Sequence, residues 1–312
     1  MATAITVVAA LVAACCFAVG AVLQHGVARE AGGQTLSLGL LVELARQPRW
    51  LAGAGLAALS FGIQGLALAF GPLALVQPLV AADVLFALPL IAVLHRHRLT
   101  AADWTGACAV TGGIALFLAV SPPSAGVRTP GLAAWVPAVV VVTVLAAVSA
   151  SVAVRVRGRA QVLWLAAGAG IMFGVLDALA KSTAGLLADR GMGVLLRWEP
   201  YGLIVVAVVG GTLSQSAFRA GALSLSLPVI DTLEPISAVV IAATVFNEQL
   251  AASPGRLLLQ LAGGCVAVGG VASLSRSAIA AAETRPAASR RYAAAPAARP
   301  RLRGPDPVRR PG

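Results

Sequence analysis

Residues 223–248 read LSLSLPVIDTLEPISAVVIAATVFNE, one long apolar segment interrupted by Asp231 and Glu234 and flanking them by Pro228 and Pro235. About twenty apolar residues suffice to cross a hydrocarbon core ~30 Å thick as a helix rising ~1.5 Å per residue. A carboxyl at mid-helix costs on the order of 2.5–3.5 kcal/mol to insert. Two of them three residues apart, beside helix-breaking prolines, predict a polar site lining a pathway through a membrane protein.

Working outward, the same apolar texture recurs along most of the chain. Of 312 residues 59% are hydrophobic and 11% charged, where a soluble domain carries roughly a quarter charged. Such a chain cannot cover a globular surface with polar groups, so its solvent is lipid. Apolar runs at roughly 3–28, 49–70, 72–95, 103–121, 131–154, 160–188, 200–219, 222–247 and 256–275 predict an all-α polytopic bundle of nine spans. The stretch 29–48 is too poor in apolar residues for a span; it is an interfacial helix, or a tenth crossing if it crosses at all. Gly71-Pro72 and Ala220-Gly221 leave room only for tight helical hairpins. The N-terminus has the length of a signal peptide but no basic n-region, and it is read as a retained first span.

The net charge of +11 is not a nucleic-acid signature, because nine of the 23 basic residues lie in the last 37 positions and most others in short loops. With nine spans, 18 of these residues fall on one side (Arg29, Arg46, Arg49, Arg96, Arg98, Arg155, Arg157, Arg159, Arg219 and the tail arginines) and four on the other (Arg128, Arg190, Arg197, Arg256). Lys181 lies inside a span. The richer side is cytoplasmic by the positive-inside rule, which fixes the C-terminus but not the N-terminus. Residues 277–312, rich in Ala, Arg and Pro, cannot bury a core and are expected to be disordered. Anionic lipid would attract that tail by ~1 kcal/mol per nearby basic residue. Cys15, Cys16, Cys108 and Cys265 all sit in apolar runs with no CxxC or Cys/His spacing, so neither a disulfide framework nor a zinc site is indicated.

Three matches relate the halves. Cys16-Phe17-Ala18-Val19 aligns with Met172-Phe173-Gly174-Val175 and sets His25 opposite Lys181. Gly71 and Pro78 align with Gly221 and Pro228, and Gly106, Cys108, Gly112 and Gly113 with Gly263, Cys265, Gly269 and Gly270. The chain then divides into a four-span unit (1–121), a connecting span (122–159) and a second four-span unit (160–276). Four spans plus one connector is odd, so the second unit enters the membrane inverted. Inverted repeats are a signature of secondary transporters with a substrate site near mid-membrane.

Leu233-Glu234-Pro235, followed by Phe246-Asn247-Glu248 and a Gly-rich last span, resembles the end of an EamA-type repeat of the drug/metabolite transporter superfamily. That pattern usually has Gly before the final Glu, where this chain has Asn247. GLALAFGPLALVQPLVAADVLFALPLIAVL (65–94), then Gly112-Gly113 and Ser121-Pro122-Pro123, is similar to the NIPA-type magnesium transporter branch. The resemblance covers residues 1–275. It departs at Gln24-His25, where that branch usually carries lysines, and at Asp83, in a normally uncharged segment. It implies a transporter, with magnesium as one cargo among the superfamily's wide range.

The candidate site follows from the charges in the spans. Asp231 and Glu234 are close enough to raise each other's affinity for a proton or to share a cation; alternatively Glu234 serves a proline-interrupted backbone. Asp83, five residues after Pro78, either faces the same cavity from the other repeat or is a carboxyl held near the interface by Arg96 or Arg98, and Gln77 is a neutral ligand or a helix–helix hydrogen bonder. Asp177 and Lys181, four apart on one face, form an ion pair that either neutralises itself or makes Lys181 compete with a cationic substrate. His25 is the positional counterpart of Lys181, read either as an interfacial histidine near a span end or as a ligand of the kind that can switch charge near neutral pH. Four acids (Asp83, Asp177, Asp231, Glu234) against Lys181 and Arg219 leave an excess that must protonate, face water or hold a cation. If the cargo is a metal, Asp83, Asp231 and Glu234 are its ligands, of the kind hard cations favour.

No nucleophile constellation, P-loop or dinucleotide fingerprint occurs, so neither an enzyme nor a cofactor is expected, and energy would come from a gradient. The expectation is an inner-membrane secondary transporter of a small polar or cationic solute, with protons or magnesium as companions or cargo, and compatible with a homo-oligomer. The rivals are a passive channel and a non-transporting scaffold.

Overall fold

A computed structural model describes residues 2–31, 35–70, 76, 79–94, 96, 98–120, 127, 129–248 and 253–277. Gln77, Pro78, the Gly71-Pro72 hairpin, Arg128 and the tail beyond Ser277 lie outside them. Among the described residues every regular element is helical: α1 (Ala2–Glu30), α2 (Leu38–Leu44), α3 (Pro48–Phe70), α4 (Asp83–Leu94), α5 (Ala101–Ala119), α6 (Leu132–Ala153), α7 (Arg159–Arg190), a 3-10 turn (Gly191–Leu196), α8 (Glu199–Ala220), α9 (Leu223–Val245) and α10 (Pro254–Ser275). Seven of these (α1 and α5–α10) are long and apolar enough to cross a membrane. The protein is therefore a multi-pass membrane protein by length and composition. α3, with 23 residues, is of similar length.

Helix starts follow local chemistry. α5 opens on a capping box, Thr100 Oγ1 accepting from Asp103 N (3.3 Å) while Asp103 Oδ2 accepts from Thr100 N (2.8 Å). α10 opens on Ser253 with Pro254 at its first position. The stretch 29–48 yields only α2, seven residues capped by Ser37. At ~1.5 Å per residue that is about 10 Å, so α2 does not cross.

The run 72–95, read as one span, is interrupted. Helix at Leu79-Val80 gives way to a turn at Ala81-Ala82, and α4 begins at Asp83. Its 12 residues cannot cross alone. Thr111 Oγ1 on α5 donates to the Ala81 carbonyl (3.2 Å), which supplies a partner that lipid could not. In the second half the opposite happens. α9 runs unbroken through Pro228 and Pro235, with Thr232 Oγ1 bonding back to Pro228 O (2.7 Å) and Ser237 Oγ to Glu234 O (2.9 Å).

α1 packs on α3 and α4, α7 on α8 and α9, and α5 lies along α10. α6 packs mainly on the side of α7 and is otherwise largely exposed, as a lipid-facing connector would be. The α5–α10 seam is set by glycine. A Cβ at Gly113 would stand 2.6 Å from Gly263 O, and one at Gly263 2.8 Å from Gly113 O; a Cβ at Gly270 would stand 2.7 Å from Gly106 O and one at Gly106 3.4 Å from Gly270 O. These four glycines thus face the backbone of the partner helix, the pairs running in opposite order along the two helices.

Candidate functional site: a row of carboxyls

Asp83 starts α4, Asp231 and Glu234 lie in the first half of α9, and Asp177 lies beyond the middle of α7. The break at Ala81-Ala82 turns Asp83 inward, where its Oδ1 accepts from Val84 N (2.7 Å) at only 4% exposure. The close approach of α9 to α7 places the rest. Gly170 and Gly174 offer no Cβ, so the backbone at Ile230 and Glu234 packs directly on α7, and Ser237 Oγ reaches the Gly170 carbonyl (3.3 Å).

Asp83, Asp231 and Glu234 neighbour one another, and Asp177 adjoins them through Glu234. The Asp83 and Asp231 carboxyls are within hydrogen-bonding reach of each other. Asp231 and Glu234 interact electrostatically, and Glu234 with both Asp83 and Asp177. A hydrogen bond between two carboxyls uses one proton, since two carboxylates have no donor. Asp231 Oδ2 is buried with no protein partner. Exposure rises in order along the row: Asp83 is buried, Asp231 and Glu234 are half-buried, and Asp177 is exposed. Among the described residues no three of the chain's acids, histidines and cysteines are arranged to hold a metal ion. The carboxyls form a chain rather than a cage.

The expected Asp177–Lys181 ion pair is not formed. Lys181 Nζ binds Glu248 and lies over the Phe246 ring, 4.9 Å from its centroid. The cause is the end of α9. Asn247 takes a left-handed conformation (φ 54°) and Glu248 N turns back to Ala242 O (3.1 Å), which swings the Glu248 carboxylate towards α7. Asn is the residue after Gly that tolerates this conformation, which accounts for Asn247 standing where the resembled motif has Gly. Phe246 is itself fixed edge-on against Trp135 (5.8 Å), which meets Trp198 the same way (5.5 Å). Lys181 therefore lies at the exposed end of the row, one helical turn beyond Asp177.

His25 is not part of the row. Its Nε2 bonds Gly221 O (2.8 Å) at the α8–α9 junction, and its ring meets Phe218 edge-on. Asp231 lies ten residues further along, roughly 15 Å by helical rise. Arg219, the other base set against the acids by composition, binds Ala31 O (3.2 Å) and Thr35 Oγ1 (3.1 Å) instead. Among the described residues neither base reaches the four carboxyls.

No protein-family model matches the chain, and no solved structure matches it. An uncharacterized protein of Corynebacterium glutamicum is 31% identical over 247 residues, which cover 78% of this chain and 86% of that protein. The chain belongs to that protein's family. The match takes in most of both chains.

In this family member the sequence alone did not single out Trp50, Gln215 or Ser216. Trp50 Nε1 donates to Gln215 Oε1 (3.0 Å), Gln215 Nε2 to Gln24 Oε1 (2.7 Å), and Leu36 N to Ser216 Oγ (3.0 Å). The available signal was the polar run Ser214-Gln215-Ser216 inside an otherwise apolar span. All three residues are buried, at 5% exposure or less.

Proposed function

We propose that the chain is a secondary transporter of the drug/metabolite type that carries a small polar or cationic solute across the bacterial inner membrane by alternating access. The observation that carries this reading is the row itself: four carboxyls side by side among apolar helices, graded from buried to exposed, with Lys181 and Arg219 both engaged elsewhere. Such an arrangement is costly in lipid and persists where water and a positive passenger, a proton included, reach it. The interrupted span before Asp83 is the kind of backbone found at transporter sites.

The reading includes nine spans in two inverted four-span units, with the C-terminus and its basic tail in the cytoplasm, against anionic lipid. Support for the inverted repeat comes from the α5–α10 seam. The sequence aligns Gly106 with Gly263 and Gly113 with Gly270, and a two-fold axis relating the units requires Gly106 to meet Gly270 and Gly113 to meet Gly263. Those are the contacts described above. Magnesium remains a cargo by resemblance, and the chain-like spacing of the acids favours a passenger handed from one carboxyl to the next.

The test is uptake by the full chain in proteoliposomes, after a thermal-shift screen against divalent cations, amines and amino acids has chosen the solute. Asp231→Asn with Glu234→Gln should abolish uptake while the protein still inserts. Full activity in the double variant would remove the site. A passive channel would instead show no saturation with solute concentration.

A further inference from the structure

A cluster of side-chain hydrogen bonds joins the first four-span unit to α8 and its junction with α9, at the end of the bundle where α1 and α8 finish. His25 holds the Gly221 carbonyl; Arg219 holds Ala31 O and Thr35 Oγ1; Ser216 Oγ receives Leu36 N; Gln215 receives Trp50 Nε1 and donates to Gln24. The exposed end of the carboxyl row, at Asp177, lies towards Lys181 and Glu248, at the opposite end.

Three features make this cluster more than ordinary packing. Its bonds join α1, the α1–α2 segment and α3 on one side to a single turn and a half of α8 on the other, so the last turns of one helix carry all of them. Gln215 is a buried side-chain amide and Gln24 a half-buried one, and water would have to replace their bonds when the helices part. Leu36 sits in a left-handed conformation (φ 62°) that leucine rarely adopts, held there while its N–H bonds Ser216. That strain is released when the bond opens.

We propose that this cluster is the inner gate, with Gln215 as its central pin, and that the conformation described is the outward-facing one. The inference rests on the transport reading. Gln215 spans the joint because it alone accepts from one helix and donates to another. Breaking its two bonds removes the amide link of α8 to both α1 and α3, leaving His25, Arg219 and Ser216 to hold the rim, and loosens the way from the cytoplasm to the start of α9. Ser226, fully buried one turn inside Gly221, lies on that route.

The experiment needs no solute. In the full chain with Cys15, Cys16, Cys108 and Cys265 replaced by alanine, Ser226→Cys is labelled with a membrane-impermeant maleimide from the cytoplasmic side of inside-out vesicles. Gln215→Leu keeps the side-chain volume and removes both bonds, and should raise the labelling rate about tenfold, the effect of losing bonds worth ~0.5–1.5 kcal/mol each. Trp50→Phe, which removes one bond at the rim, should raise it by a smaller factor and serves if Gln215→Leu does not fold. Bridging Gln24→Cys to Gln215→Cys with a reducible bifunctional thiol reagent should bring labelling to background, and reduction should restore it. Equal labelling of Ser226→Cys in the parent, unpinned and bridged proteins overturns the gate. If labelling follows the pin while Asp231→Asn with Glu234→Gln leaves uptake intact, the gate stands and the carboxyl site falls.

Discussion

Adding one methyl group at Gly113 tests the seam on which the two halves meet. A Cβ there would lie 2.4 Å from Ala267 N, 2.6 Å from Gly263 O and 2.9 Å from Ala267 Cα. Carbon contacts settle near ~3.5–4.0 Å, so α5 and α10 must separate by about 1 Å, and the obstructing atoms are backbone, which cannot rotate away. Overpacking of this kind costs ~1–3 kcal/mol. Its neighbour supplies the control, because a Cβ at Gly112 meets nothing within 4 Å. Both substitutions gain the same helix propensity, up to ~1 kcal/mol, so the difference between Gly113→Ala and Gly112→Ala isolates the seam. At on the order of 2–4 °C per kcal/mol for a chain of this size, the two should differ in Tm by about 5 °C, read by thermal unfolding in lipid nanodiscs. Gly106→Ala should fall between them, since its Cβ meets the Leu274 side chain at 2.9 Å, which can rotate. Equal Tm for the Gly112 and Gly113 variants would refute the close approach and remove the support it gives to the repeat.

Thr111→Val should lower stability by ~1–2 kcal/mol in the same unfolding assay, because the Ala81 carbonyl loses its donor in a region without water; Thr111→Ser should restore it. Asn247→Gly should be tolerated, whereas Asn247→Val should cost ~1–2 kcal/mol by opposing the left-handed turn, and it should release Lys181 from Glu248, read as faster reaction of Lys181 with an amine reagent in mass spectrometry. Ser277 is only 7% exposed, so the side of the C-terminus is better read at Ser289→Cys, which should react with impermeant maleimide only from the cytoplasm.

Much of the bundle was legible because lipid imposes a simple requirement: runs of apolar residues long enough to cross. Seven crossings are visible in that pattern, and all four acids were readable as exceptions to it. What sequence could not give was the partner of each exception. Four-residue spacing put Lys181 with Asp177, and the left-handed turn at Asn247 brought in Glu248 from 67 residues away. Prolines pointed to broken helices, yet α9 runs unbroken through Pro228 and Pro235, while the interruption in the first half falls at two alanines. Helix breaks depend on where neighbouring side chains can accept the freed backbone, and that is decided by Thr111 on a different helix. The gate residues were hidden for the same reason. Gln24 and Gln215 are unremarkable singly and acquire meaning only when 191 residues of separation are closed.

The ring arrangement of Trp135, Trp198 and Phe246 gives the protein a spectroscopic signal of its own. Two indoles meeting edge-to-face at 5.5 Å couple their transitions, and the phenyl ring that touches one of them also seats the Lys181 ammonium. Because the connector helix holds Trp135 while α9 carries Phe246, relative motion of those two helices alters near-ultraviolet dichroism and indole emission. Such motion can then be followed in real time on the unlabelled chain.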